Sequence, residues 1–193
     1  MVRLSQKIFV GQLFCLLMCL LLQQTLSASF YGASYVSYAF QEAKSTTEIN
    51  LRFKTHQADA ILLLAAGRTD YCLLVLEAAG LKVRINLGAG EAELTSPPGL
   101  RLNDLMWHDV NLERTNADML LVVDTIHRTR LTIPGRFHEL NIHFGVYVGG
   151  LGDFNELFLG NMDNFRGCLD NLTLNSINVF RSARENLEQR GVH

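Results

Sequence analysis

Three features of the sequence predict an all-β fold, an antiparallel sandwich of the jelly-roll type. Apolar residues recur at every second position through most of the chain, and turn residues interrupt them about every 8–12 residues. Sustained helical periodicity is confined to the last stretch, Arg181 to Gln189.

The opening residues stand apart from this pattern. Arg3 and Lys7 precede an apolar run from Ile8 to Leu22, and Thr25-Leu26-Ser27 places small residues at a cleavage-like position before Ala28. The run is shorter than the roughly 20 residues a membrane span needs. Residues 1–27 are therefore expected to be a signal peptide, residues 28–180 one domain, and residues 181–193 a polar tail.

From Ala28 onward the elements follow in order. Ser34 to Phe40, aromatic and polar by turns, suits a first strand. Ile49, Leu51 and Phe53 alternate with Asn50, Arg52 and Lys54, the mark of a strand with one wet face. Ile61 to Ala66 and Tyr71 to Leu76 are continuous apolar runs, as expected of strands covered on both faces. Glu77 to Gly80 turns the chain into Leu81, Val83, Ile85 and Leu87, an alternation that sets the register of a hairpin. Glu91 to Ser96 reads as an edge strand ended by Pro97-Pro98-Gly99. Val110 and Leu112 are predicted to face inward, as are Met119, Leu121 and Val123 beyond the Asn116–Asp118 turn. Phe144 to Val148 and Gly167 to Leu174 complete the set.

Charge and cysteine content narrow the function. Removing Arg3 and Lys7 with the leader moves the formal side-chain charge from −2 to about −4. An acidic balance argues against nucleic acid as a partner and against strong heparin binding. Beyond the leader no apolar run is long enough to span a bilayer. Cys15 and Cys19 leave with the leader, so only Cys72 and Cys168 remain. Cys72 sits in an apolar run and reads as a small core residue. No Ser/His/Asp or paired-carboxylate arrangement has motif-level support, so the chain is read as a non-enzyme. The histidines show no metal-ligand spacing, and Trp107 reads as a residue of the sandwich interior.

Laid end to end, the runs Ala60–Leu64, Asp70-Tyr71, Leu81–Gly88, Trp107–Arg114, Leu121–Asp124, Tyr147–Gly150 and Phe165–Cys168 resemble a laminin G-like domain, a concanavalin-like jelly roll. The opening Ala28–Gly32 is similar to the N-terminus of the large transmembrane chondroitin sulphate proteoglycans of the neural/glial antigen type. The resemblance implies an extracellular adhesion module, the N-terminal part of a larger membrane proteoglycan, recognising matrix proteins or cell-surface receptors. A secreted, lectin-like protein that binds glycosaminoglycans is the alternative. The family's second cysteine after the Phe-Arg-Gly-Cys motif is missing before His193, so either this member lacks the bridge or, as expected here, the partner of Cys168 lies beyond the chain end. Thr125-Ile126 stands where relatives commonly carry a glycine after the Val-Asp turn, which suggests a different turn type.

The resemblance also implies a Ca²⁺ site held by the side chains of Asp70 and Asn141 and the carbonyls of Leu87 and Glu139. With a single carboxylate, its affinity is expected in the weak extracellular range of about 10⁻⁴–10⁻³ M. Asn171-Leu172-Thr173 is a glycosylation acceptor, and strand alternation turns Asn171 outward, opposite Leu172 and Leu174. Arg128, Arg130 and Arg136 crowd one hairpin, a candidate patch for sulphated glycosaminoglycans.

Overall fold

A computed structural model describes residues 27–152 and 162–189. Two antiparallel sheets face one another. The seven-stranded sheet runs β1 (Ala28–Tyr31), β14 (Arg166–Leu174), β4 (Thr46–Thr55), β9 (His108–Thr115), β10 (Asp118–Val123) and β11 (His127–Thr132), with β15 (Ile177–Asn178) paired to β14. The six-stranded sheet runs β2 (Val36–Tyr38), β13 (Gly145–Val148), β5 (Ala60–Ala66), β6 (Tyr71–Glu77), β7 (Gly80–Asn86) and β8 (Glu91–Thr95). A small ribbon joins β3 (Glu42–Lys44) to β12 (Leu140–Ile142), and helix α1 (Val179–Gln189) follows β15. The fold class is the one the alternation predicts. Most of the expected leader lies outside the described residues.

Strand pairing turns the sequence alternation into a core. β4 and β9 pair residue by residue, with Ile49 opposite Leu112 and Leu51 opposite Val110. Their inward members are buried against Leu63, Leu74, Val83 and Ile85 of the other sheet, while Asn50, Arg52 and Asn111 stay on the outer face. β5 and β6 are buried on both faces, as their unbroken apolar composition requires. On their second face Ile61, Leu64, Leu73 and Val75 form a separate cluster against Tyr147, Leu151 and Met162. The Ile61 amide donates to the Asp163 carbonyl at 3.0 Å, which holds that covering segment down.

Three expectations need correction. Ser34–Phe40 is not the first strand: β1 begins at Ala28, and only Val36–Tyr38 of that stretch pairs. Arg181–Gln189 is not merely a polar tail. The helix starts at Val179, Asn178 Oδ1 caps it by accepting the Arg181 amide at 2.9 Å, and Val179, Phe180 and Ala183 are buried. Its polarity belongs to the solvent side, while Phe180 reaches Phe30 at 6.4 Å between ring centroids. Trp107, expected inside, is half-buried on the outer face, with Arg52 Cζ and Lys54 Nζ 5.3 and 5.4 Å from its ring centroid.

Several hairpins turn through left-handed backbone without glycine, two of them without asparagine either. Asp124 and Thr125 at the β10–β11 turn have φ of 49° and 63°, so Thr125 takes a left-handed conformation that glycine adopts more easily. At the β6–β7 turn Ala78 and Ala79 have φ of 50° and 67°. Both alanine amides are tied down, Ala78 to Asp59 Oδ1 at 2.9 Å and Ala79 to the Ala58 carbonyl at 2.8 Å. Ala79 is buried but Ala78 is exposed, so only Ala79 gains packing in return for its backbone strain. Ala78→Asn, which puts a residue tolerant of this region at the first position of a primed turn, is expected to raise stability by up to about 1 kcal/mol. An unchanged or lowered urea midpoint would show that the turn is not strained.

Candidate functional site

The ribbon brings the predicted rim residues together. Gly67, after β5, has no side chain because a Cβ there would stand 1.9 Å from the Asn141 carbonyl oxygen. That close approach lets β12 lie against the β5–β6 turn, with the amides of His143 and Phe144 both donating to the Ala66 carbonyl. Asn141 then meets Asp70: its backbone and side-chain amides donate to Asp70 Oδ2 at 3.1 and 2.6 Å. Thr69 Oγ1 donates to Asp70 Oδ1 at 2.9 Å. Asp70 is a buried carboxylate whose charge is met by these donors.

Asp70, Leu87, Glu139 and Asn141 all line one cavity of about 680 Å³ at this end of the sandwich. Arg136 and Phe137 also line it, and Phe137 is 62% exposed. Gly88, at φ 94°, keeps the wall open beside Phe137 and Asp70. Arg128 and Arg130 share the exposed face of β11, whereas Arg136 lines the cavity. Among the described residues no group of three His, Cys, Asp or Glu side chains converges on a metal position. Among the residues lining the cavity, Asp70 carries a carboxylate and Asn141 an amide, hard-oxygen groups of the kind Ca²⁺ takes.

The element beneath this rim is Arg114, which sequence analysis missed. It is 2% exposed and, among the described residues, has no carboxylate partner. Nη1 donates to the carbonyls of Ser45, Asn116 and His138 at 3.1, 3.0 and 2.7 Å. Nη2 donates to the Lys44 carbonyl and to Thr47 Oγ1, both at 2.8 Å, and Nε also reaches Thr47 Oγ1 at 3.2 Å. Burial pulls the guanidinium below its ordinary pKa. Three of its partners, Ser45, Asn116 and His138, line the cavity. The missed signal was parity: Arg114 continues the inward series of His108, Val110 and Leu112.

Both cysteines of the described residues are free thiols, Cys72 buried and Cys168 half-buried. Burial pushes the Cys72 thiol up to about 12, with the Arg114 charge a smaller opposing influence. Asn171, the glycan acceptor, is exposed, but a β-bulge between Asp170 and Thr173 and a φ of 51° interrupt the simple alternation there. Among the described residues no helix is long and apolar enough to cross a membrane.

Comparison with known proteins places this geometry. The family model described as "Laminin G domain" matches residues 53–177. Chondroitin sulfate proteoglycan 4 of Rattus norvegicus is 36% identical over 167 residues, 86% of this chain and 7% of that protein. Contactin-associated protein 1 of Rattus norvegicus is 33% identical over 164 residues, 80% of this chain and 12% of that protein. The chain thus spans a small fraction of these relatives. Among solved structures, the LG1-3 region of the laminin alpha2 chain superposes with a TM-score of 0.72 at 22% identity, covering 81% of this chain and 32% of that one, a likeness of fold.

Arg114→Met strips several buried or half-buried carbonyls of their donor and is expected to cost more than about 2 kcal/mol by chemical denaturation. Arg114→Lys should recover only part, since one ammonium cannot reach all these acceptors. A loss under 0.5 kcal/mol for Arg114→Met would remove the guanidinium from its central role. Cys72 generates a second expectation. The folded thiol keeps its proton until about 12 whereas the unfolded thiol releases it near 9. Its contribution is therefore intact below pH 9 and declines above it, by about 1.4 kcal/mol per pH unit. In Cys72→Ala that component of the alkaline decline should vanish.

Proposed function

This chain belongs to the laminin G domain family, and from that premise we propose that it is a non-enzymatic extracellular binding module recognising matrix proteins or cell-surface receptors through the rim loops. We place it as the N-terminal part of a larger membrane proteoglycan, a reading supported by its similarity to chondroitin sulfate proteoglycan 4. The observation that carries the site is the convergence of Asp70, Leu87, Glu139 and Asn141 on one cavity bordered by exposed Phe137. Asp70 and Asn141, with the carbonyls of Leu87 and Glu139, would hold Ca²⁺, which would supply an electrostatic tie that orders the loops. Arg114 holds the His138 carbonyl, and so the loop carrying Phe137 and Glu139, from below. Pre-ordered loops lose less entropy on binding, so rigidity at the rim contributes to affinity. Asn171 is proposed as an N-glycosylation site, supported by its motif and its exposure.

A second reading draws on Arg128 and Arg130, whose side chains alternate onto the exposed face of edge strand β11. With Arg136 nearby in sequence, they suit sulphate groups of glycosaminoglycans. Salt-sensitive retention on heparin or chondroitin sulphate, lost in Arg128→Ala/Arg130→Ala, would favour it over rim recognition of proteins.

Two measurements test the primary reading. Calorimetric titration with Ca²⁺ should give a dissociation constant of about 10⁻⁴–10⁻³ M, abolished in Asp70→Asn while circular dichroism still reports the folded sheet. Equal Ca²⁺ binding by the two proteins would place the ion elsewhere. Adhesion of the purified protein to cultured cells should fall by more than about fivefold in Phe137→Ala, the size of loss expected when a central aromatic is truncated. Retention of full adhesion would move recognition away from the rim.

A further inference from the structure

We propose that the outer face of the seven-stranded sheet carries a seat for the chain's own Asn171-linked glycan, whose inner sugars lie across the strands instead of projecting into solvent. The proposal rests on Asn171 being modified, as inferred above.

The acceptor stands at the start of a groove. Asn171 lines a shallow cavity of about 210 Å³ together with Asn50 and Arg52 of β4, Asp109 and Asn111 of β9, and Val122 and Thr125 at the end of β10. In the sheet β14, β4, β9 and β10 are consecutive neighbours. Three interstrand steps make this path about 14 Å, the length of a short oligosaccharide rather than of one ring. The bulge between Asp170 and Thr173 gives Asn171 its own direction, and its amide N–H is held by Asp170 Oδ1 at 2.9 Å. Among the described residues the Asn171 side chain has no hydrogen-bond partner, which leaves its Nδ2 available to carry a sugar.

The groove's surface suits a sugar. Its polar groups are held in place: Asn111 Nδ2 donates to Asn50 Oδ1 at 2.9 Å, Asn50 Nδ2 donates to Glu48 Oε1 at 2.8 Å, and Arg52 forms an ion pair with Asp109, Nε to Oδ1 at 2.7 Å. These pairs leave Asn111 Oδ1 and the outer lone pairs of Asp109 to accept from hydroxyl or acetamido groups. Beyond them the face turns apolar, with Leu120 and Val122 half-buried and Ile126 73% exposed at the adjoining turn. A pyranose presents both hydroxyl edges and C–H faces, so one chain of sugars can satisfy both parts. Attachment makes even weak contacts count, because a tethered group sits at an effective concentration of millimolar order. A seated glycan would also screen this sheet face and leave the rim loops as the exposed recognition surface.

The test uses the full chain, isotope-labelled and secreted from eukaryotic cells with its glycan intact, with occupancy of Asn171 read by peptide mass spectrometry. Nuclear Overhauser contacts are expected between the glycan's N-acetyl methyls and the side chains of Asn50, Asn111 and Val122. In Asn111→Ala these contacts should be lost at unchanged occupancy. Contacts restricted to Asn171 and Thr173 on an occupied site would overturn the seat while leaving the modification intact. An unoccupied Asn171 would overturn both.

Discussion

The buried guanidinium of Arg114 is the constraint on which the rim depends. Three separate parts of the chain meet it: the β3–β4 junction, the β9–β10 turn, and the loop ending at His138. Each offers it carbonyl groups, that of Ser45 also accepting the Asn116 amide at 2.7 Å, and an acceptor left without a donor away from water would cost about 1–3 kcal/mol. One planar group with five N–H bonds in a fixed fork can serve several such acceptors at once, which an ammonium cannot. The cost is desolvation of a full charge with no carboxylate beside it. Carbonyl dipoles and the Thr47 hydroxyl offset that cost only if the loops hold their places, so the arginine and the loops order one another.

The two sheets solve different problems with their outer faces. The six-stranded sheet, apolar on both sides at β5 and β6, is covered by chain from either end of the β13–β14 connection, through Leu151 and Met162. The seven-stranded sheet is wet, and its charges are neutralised locally, as in Arg52 with Asp109. What remains unsatisfied in shape lies at the end of the sandwich, where Gly67 admits Asn141 to Asp70 and Gly88 keeps the wall open. The candidate site is thus a product of how loops cross strand ends, on a scaffold held rigid by its core.

The strand alternation was legible because it is a local property. Ile49, Leu51 and Phe53 declare one face of β4 whatever they pack against, and the unbroken run Ile61–Ala66 declares two. The candidate Ca²⁺ ligands were nameable only through family resemblance, since Asp70, Leu87, Glu139 and Asn141, which line one cavity, lie far apart in the chain. Arg114 was overlooked because charge suggested solvent, although its parity placed it inward with Leu112. Trp107 was misjudged for the opposite reason: an apolar ring suggested the interior, while its place one residue before inward-facing His108 put it on the wet face beside two cations. In both cases position in the pleat outweighed residue type.

By itself the sequence determined the all-β class, most strand positions and the faces they bury, since these follow from a two-residue period carried in adjacent residues. It also determined the glycan motif, which is contiguous. Tertiary structure alone decided that Arg114 would bind carbonyls from three loops, that helix α1 would dock Phe180 onto Phe30, and that Asn171 would open onto a groove shared with β9 and β10. Each of those joins residues far apart in the chain, and no local period encodes which strand ends will meet.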